Sequence, residues 1–557
     1  MLSFSDDFPA PDPSLWRSLV EKGLRGAAFE ERLVGRTEDG IRIPPLYLRA
    51  DELPDAGLPG RFPFIRGGAA SRPQWDIRSL CRLPDPVAAN RAILADLAGG
   101  ATSILLDGTA LRPADLALAL DGVMLDLAPV YLREPAGDVP AGVIALLDPI
   151  EAWAAGREAA PAVQGFTPTA RIAVNGTVFD DGGASDAEEI GLTIAAVIDL
   201  ARQMEDGGTS AEAALGAMLL QASTGVDFFA GIAKLRALRR LWSRVVEVAG
   251  VERPPLVHAV SSARMLTRYD RWTNLLRNTI ACAAAAMGGA DAITVLPHDH
   301  ACGLPDAFAA RLARNIQNVL QEESGLGLVT DPLGGSWYVE QLTEQLAGVA
   351  WAIVQRIEMA GGFREACEVG LVAEILQARQ EARSRLVGTR ACPIIGVSQF
   401  PDPGETKIPP RSDTARRRLP RWRDAEPFEA LRDRSLAKGA VPVFVLLVGP
   451  AARHAARLGF ATNLFAIAGL HCVIADAVNA FPQTGARLAV IAGADEDYAD
   501  RAVSLAEGLR HVGAEDVHLL GKPSPLEGAL REAGVSRFVV QGQDMAGYLS
   551  DIVERLT

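Results

Sequence analysis

None of the six cysteines, Cys81, Cys282, Cys302, Cys367, Cys392 and Cys472, stands in C-x-x-C spacing with another. That argues against a disulfide frame and against a thiolate zinc site, and suits reduced thiols. The chain also lacks any uninterrupted apolar run of about 18 residues, so no membrane contact through a spanning helix is expected. Its opening, Met1-Leu2-Ser3-Phe4-Ser5-Asp6-Asp7, is acidic and carries no basic segment ahead of an apolar one. A secretory signal is therefore not expected, and a cytoplasmic location is. Basic charge is in deficit, 55 Lys and Arg against 69 Asp and Glu, a formal net charge of −14. Nucleic-acid binding usually shows as a basic domain, so a nucleic-acid partner is not expected. What remains is an ordinary globular composition, 49% hydrophobic and 22% charged over 557 residues, long enough for several domains.

Four stretches follow from the patterning. Residues 1–61 form a polar, proline-punctuated arm with one helix, opened by Pro13 and Ser14 and running to about Lys22; such an arm packs on the rest of the chain or on a partner. Residues 62–390 hold strand patterns beginning near Thr102, Gly122, Val143, Ile172, Ala217, Leu256, Ala292 and Gly327, each followed by a helical pattern, the alternation of a (β/α)8 barrel. Aliphatic runs such as Ile104-Leu105-Leu106 imply strands buried on both faces, and a barrel packed solid along its axis. Residues 391–440, centred on Arg416-Arg417-Arg418-Leu419-Pro420-Arg421-Trp422-Arg423, read as a linker whose arginines pair with acidic surface. Residues 441–557 alternate again, with strands at Val443–Val448, Cys472–Ala475, Leu488–Ala492, Val517–Leu520 and Arg537–Val540 separated by helices, a flavodoxin-like doubly wound domain.

Five blocks in the barrel stretch carry a family resemblance: Tyr269-Asp270, Leu276-Arg277-Asn278-Thr279, Arg311-Leu312-Ala313-Arg314-Asn315, Leu320-Gln321-Glu322-Glu323-Ser324-Gly325 and Asp331-Pro332-x-Gly334-Gly335-Ser336. Together they resemble the substrate barrel of the methylmalonyl-CoA mutases, and the C-terminal stretch resembles that family's cobalamin domain. The resemblance implies a radical carbon-skeleton rearrangement on adenosylcobalamin, so the positions that carry that chemistry decide the reading.

Those positions differ. The family places D-x-H-x-x-G after the first strand of the small domain, where the imidazole meets cobalt, a carboxylate holds its other nitrogen and the glycine lets the nucleotide tail pass. Here that turn reads Ala452-Arg453-His454-Ala455-Ala456-Arg457, with alanine for the carboxylate and arginine for the glycine. The pattern itself recurs at Asp516-Val517-His518-Leu519-Leu520-Gly521, but His518 falls inside the fourth strand and is a false match. In the barrel, aligning Gly183, Glu189 and Thr193 with the family puts Thr177 and Val178 where it has a Tyr-His pair, and valine neither donates nor accepts a hydrogen bond. The family's upstream tyrosine is missing from Arg66-Gly67-Gly68-Ala69-Ala70-Ser71-Arg72-Pro73-Gln74-Trp75, although Arg66, Trp75, Ile77 and Arg78 keep its pattern. His298-Asp299-His300 offers two imidazoles at i and i+2, a poor chelate without a third ligand beside it, and no metal is expected.

The resemblance thus implies the small, or beta, subunit of a heterodimeric methylmalonyl-CoA mutase, without catalytic or cofactor-binding residues of its own. A large catalytic subunit would carry the adenosylcobalamin, and a GTP-dependent reactivating chaperone is a further partner of such complexes. Two alternatives stand beside it. One is a free-standing, cobalamin-independent acyl-CoA enzyme using strand-end groups such as Asp107, Asp126, Asp148 and His258; the other is an active mutase with His454 or His518 as an unusual cobalt ligand.

Overall fold

The computed structural model describes residues 12–556 apart from 72–73, 108–110, 112–114, 126, 136–143, 150–170, 406–410, 412–421, 440–441 and 523–524. Eight strands close into a barrel: β1 (Asp76–Cys81), β2 (Ser103–Asp107), β3 (Val130–Pro135), β4 (Ile144–Pro149), β5 (Arg171–Asn175), β6 (Met218–Thr224), β7 (Val257–Ser261) and β8 (Ala292–Thr294), with β8 paired to both β7 and β1. Seven run parallel, and β4 is antiparallel to β3 and β5. This corrects the expectation of eight β/α units. The eight residues between β3 and β4 are too few for the dozen or so that a parallel crossover needs, so the second strand returns as a hairpin.

Two more of the expected strands differ. The one expected near Gly122 begins at Val130. The one expected near Gly327 is absent, because Gly325, Gly327, Asp331 and Gly335 all take positive φ and fold the chain into successive turns. In exchange β1 supplies a strand the patterning passed over. Its Asp76, Arg78 and Leu80 lie on the lumen side, and its Ile77 packs outward into the large core, so polar residues interrupt it where an aliphatic run would mark a strand.

The same alternation runs round the barrel. Leu105, Tyr131, Ala173 and Leu219 cluster on the axis. Above them the lumen is polar: Gln221 Nε2 lies 2.8 Å from His258 Nδ1, His258 Nε2 lies 2.9 Å from Thr294 Oγ1, and Thr294 donates to the carbonyl of Arg78. All four side chains are buried. At this level a hydrogen-bonded polar row, carried by the adjacent strands β6, β7, β8 and β1, lines the lumen in place of the aliphatic packing expected. The aliphatic residues face outward instead, toward the helices Asp186–Asp206, Phe228–Val248 and Trp337–Met359, whose mutual packing forms the largest core.

In the N-terminal arm, Asp12 caps the helix Pro13–Gly23 and none of that helix is buried. From Ile41 onward the arm lies on the barrel, where Tyr47 meets Tyr338 and Gln341 donates to the carbonyl of Asp51. The segment read as a linker contains a helix, Glu426–Ala437, whose Phe428 and Leu431 join the core of the C-terminal domain. Arg416, Arg417, Arg418, Leu419, Pro420 and Arg421 lie outside the described residues. Arg423 pairs with Glu429 at 2.7 Å and Arg411 with Asp306 at 3.0 Å.

The C-terminal sheet contains β9 (Val443–Val448), β10 (Cys472–Ala475), β11 (Leu488–Gly493), β12 (Asp516–Leu520) and β13 (Val535–Val539), all parallel, in the order β10-β9-β11-β12-β13. This is the flavodoxin-like order. Val443 and Val445 face the helices Ala451–Ile467 and Met545–Leu556, whereas Phe444, Leu446 and Val448 face Asp495–His511, which explains the unbroken aliphatic run of β9. Among the described residues no helix is long and apolar enough to cross a membrane.

Candidate functional site

In a sheet of this order the ligand crevice opens at the carboxyl ends of the strands, where the chain turns outward in opposite directions after β9 and after β11. Here two ion pairs cross it. Arg453 and Arg457, one turn apart on the helix after β9, reach Asp497 and Asp495 on the first turn of the helix after β11, at 2.6 and 2.5 Å. Arg457 also donates to the carbonyl of Gly493 at 2.6 Å, and its guanidinium carbon stands 5.2 Å from the Tyr498 ring centre. The Tyr498 hydroxyl accepts from the Gly493 amide and donates to the carbonyl of Leu520, tying β11 to β12 beneath the arginine. Gly521 is required here: its φ is +132°, and a Cβ on it would come within 2.7 Å of Arg457 Nη1.

His454 stands between these arginines. Its Nδ1 lies 3.1 Å from the carbonyl of Gly449, which makes Nδ1 the protonated nitrogen and leaves Nε2 as an acceptor. Ala452 precedes it without a polar side chain. His518 is elsewhere altogether: it is buried on the β12 face that packs on the helix Met545–Leu556, with Nδ1 2.8 Å from the Tyr548 hydroxyl and Nε2 3.2 Å from Asp516. Burial acts to raise the Asp516 carboxyl, but hydrogen bonds from His518 and Ser536 outweigh it and hold Asp516 far below the usual carboxylate range.

At the barrel mouth, Thr177 and Val178 open the short helix Thr177–Asp181 after β5. The Thr177 hydroxyl donates to Asn175 Oδ1 at 2.7 Å, and Val178 packs on the large core. Beside them sits a cluster that the patterning did not single out. Glu189 accepts from the Ser223 amide and hydroxyl at the end of β6 and from Lys234, and Lys234 also reaches Asp186 at 2.9 Å. Burial pushes Glu189 up to about 7 against the pull of Lys234. Burial opposes the charge on Lys234 too, yet the flanking carboxylates of Asp186 and Glu189 prevail and hold its pKa above the ordinary lysine value. Asp180 accepts from Ser262 and faces Arg264 at 3.4 Å. Every charge in this cluster has a counter-charge, as a structural ion network requires.

The remaining strand-end groups are spread out. Asp107 lies 3.5 Å from Arg82. His258 sits within the lumen row with both ring nitrogens in contact with polar atoms. Asp126 lies outside the described residues, as does the side chain of Asp148. His298 stacks on Trp272, Asp299 pairs with Arg411, and His300 lies in a short 3-10 turn. Among the described residues no group of three or more His, Cys, Asp and Glu could hold a metal ion.

A family model described as methylmalonyl-CoA mutase matches residues 162–441. The chain is 38% identical to a methylmalonyl-CoA mutase small subunit of Streptomyces virginiae, over 100% of this chain and 98% of that one. The chain belongs to the methylmalonyl-CoA mutase family. A methylmalonyl-CoA mutase small subunit of Propionibacterium freudenreichii subsp. shermanii is 35% identical over 100% of this chain and 96% of its own, and a probable small subunit of Mycobacterium tuberculosis H37Rv is 36% identical over 94% and 93%. The blocks that carry the resemblance to the mutases serve here as joints. Tyr269 donates to Asp433, Arg277 to the carbonyl of Ile395, Asn278 to that of Leu296 and Gln321 to that of Trp75, and Asp331 receives Arg66 and Arg236.

Proposed function

We propose that this chain is the non-catalytic small subunit of a heterodimeric, adenosylcobalamin-dependent methylmalonyl-CoA mutase, and that its role is to stabilise a larger catalytic chain. The observation that carries the reading is the pair of arginine bridges across the crevice of the C-terminal sheet. A cobalamin nucleotide tail would have to displace Arg457 from Gly493 and Asp495, and would leave Asp497, already lacking a partner for one buried oxygen, without Arg453 as well. Arg453 is half exposed and Asp495 largely exposed, so each bridge contributes only about 1 kcal/mol, and the larger obstacle is the Arg457 side chain itself, standing where the family has a glycine. The residues present do not fit the cofactor, although the tautomer of His454 by itself would suit a metal. Val178 and the paired cluster around Lys234 support the same reading at the barrel mouth, since they offer no free acid or imidazole to a thioester. The name small subunit, borne by the relatives, supports a larger partner.

Co-isolation tests the reading. The tagged chain, drawn from its native cell, should bring a larger mutase-like chain in equal amount. Recovery of this chain alone, active on methylmalonyl-CoA, would overturn it.

A further inference from the structure

Where the barrel hands over to the C-terminal domain, the helix Leu371–Gly388 ends and the segment 389–400 crosses to the helix Ala451–Ile467. A cavity of about 290 Å³ lies between them, walled in part by Arg390, Gln399, Phe400, Gly459, Phe460 and Asn463. Its described lining holds one charged group, Arg390, and no carboxylate. The arginine donates from Nη2 to the side-chain oxygens of Asn463 at 2.7 Å and Gln399 at 3.4 Å, while its buried Nε has no acceptor. Of the neighbouring arginines at the junction, Arg383 meets Asp424 and Arg268 meets Glu429 and Asp433, whereas Arg432 ends on the carbonyls of Asp402 and Glu405. Burial without a counter-charge lowers the pKa of Arg390.

Arg390 also has a left-handed backbone, a conformation it shares with Arg25 after the first helix. Arg390 follows Thr389, the C-cap of its helix, at φ +61°, its amide donating to the carbonyl of Val387, a place where glycine is the usual occupant. Phe400, at the other end of the segment, also has a left-handed φ, +51°, and is 68% exposed at the rim. Two long side chains are thus kept at strained positions on either side of one cavity, a pattern more usual at ligand sites than in scaffolding. Across from them Gly459 interrupts a helix without a packing reason, since a Cβ there would meet nothing within 4 Å.

The geometry points to this cavity as a binding site for a small oxyanion, a carboxylate or a phosphate, taken up by Arg390 with the side-chain amides of Gln399 and Asn463. The volume is just under the usual range of ligand pockets, which suits a small ion or a short-chain acid rather than a nucleotide. Phe400, Phe460 and Met545 would lie against an apolar tail. An ion held there would join the end of the barrel to the C-terminal domain, and so would stiffen the junction. This inference does not depend on the reading of the crevice.

The test titrates the full-length chain with inorganic phosphate and, separately, with butyrate at constant ionic strength, following heat by calorimetry and the thermal midpoint. Gly459→Leu fills the cavity and improves helix propensity, so it should fold; Arg390→Gln removes the charge. The expected result is saturable binding of at least one probe, weakened roughly ten- to a hundredfold in both variants, as loss of a charged hydrogen bond implies. The tighter probe identifies the source, phosphate or carboxylate. Absence of saturable binding to the unmodified chain, or equal binding to Gly459→Leu, overturns the site.

Discussion

Lys234 is a buried cation held by two carboxylates, Asp186 and Glu189. Replacing it with methionine keeps its length but leaves both acids without their counter-charge, so Lys234→Met should cost about 3–5 kcal/mol in a urea unfolding titration. Asp39, in the arm, behaves in the opposite sense to a paired acid. Burial raises its carboxyl to about 6, although the Ser185 hydroxyl and Arg379 oppose the shift. Between the ordinary value of 3.8 and 6 the folded chain holds a proton that the unfolded chain has released. The contribution to stability is therefore fully present below that window and is lost as pH rises through it. Asp39→Asn, which stays neutral and can still accept from Ser185, should match the unmodified chain at pH 4 and exceed it by about 2 kcal/mol at pH 7, after allowing for partial solvent access. Parallel unfolding titrations at the two pH values measure that difference.

At the scale of the element, the turn after β9 is locked to the two turns it touches, through Arg457. Gly521→Ala puts a Cβ against Arg457 at a φ that alanine rarely adopts, and should destabilise by about 1–3 kcal/mol. Arg457→Ala should cost about 1–2 kcal/mol through its lost hydrogen bonds. The double variant should cost less than the sum, because the clash partner is gone, and a double-mutant cycle on the unfolding free energy reads that coupling. Legibility in the sequence followed burial at this scale. The five strands of the C-terminal sheet were readable because β9 and β11 are aliphatic on both faces. β1 was not, because Asp76 and Arg78 turn into a polar lumen and break the hydrophobic pattern. Gly327 misled because the residues that look like the start of a strand are a series of positive-φ turns. The arginines at 453 and 457 and the acids at 495 and 497 were visible as types; that they meet across the sheet depends on a strand order that pattern alone does not show.

At the scale of the whole molecule, the barrel and the doubly wound domain are joined through the helix Glu426–Ala437. Glu429, buried, accepts from the Arg268 amide, the Arg268 guanidinium and Arg423, and Tyr269 and Val387 of the barrel, with Val397 of the connecting segment, enter the core of the C-terminal domain. Glu429→Ala leaves Arg423 without its carboxylate and Arg268 with Asp433 alone at this junction. It should lower stability by about 3–5 kcal/mol and split one calorimetric unfolding transition into two, as the domains lose their coupling. The same organisation bears on function. On the proposed reading, a chain of this family whose C-terminal crevice is bridged by its own side chains would hold a catalytic partner in place of a second active copy. The measurement that tests this most directly is the absorbance of the purified, isolated chain after incubation with adenosylcobalamin and removal of the excess. No cobalamin spectrum should be retained. Stoichiometric retention, lost on replacement of His454 by alanine, would contradict it and make this chain a mutase in its own right.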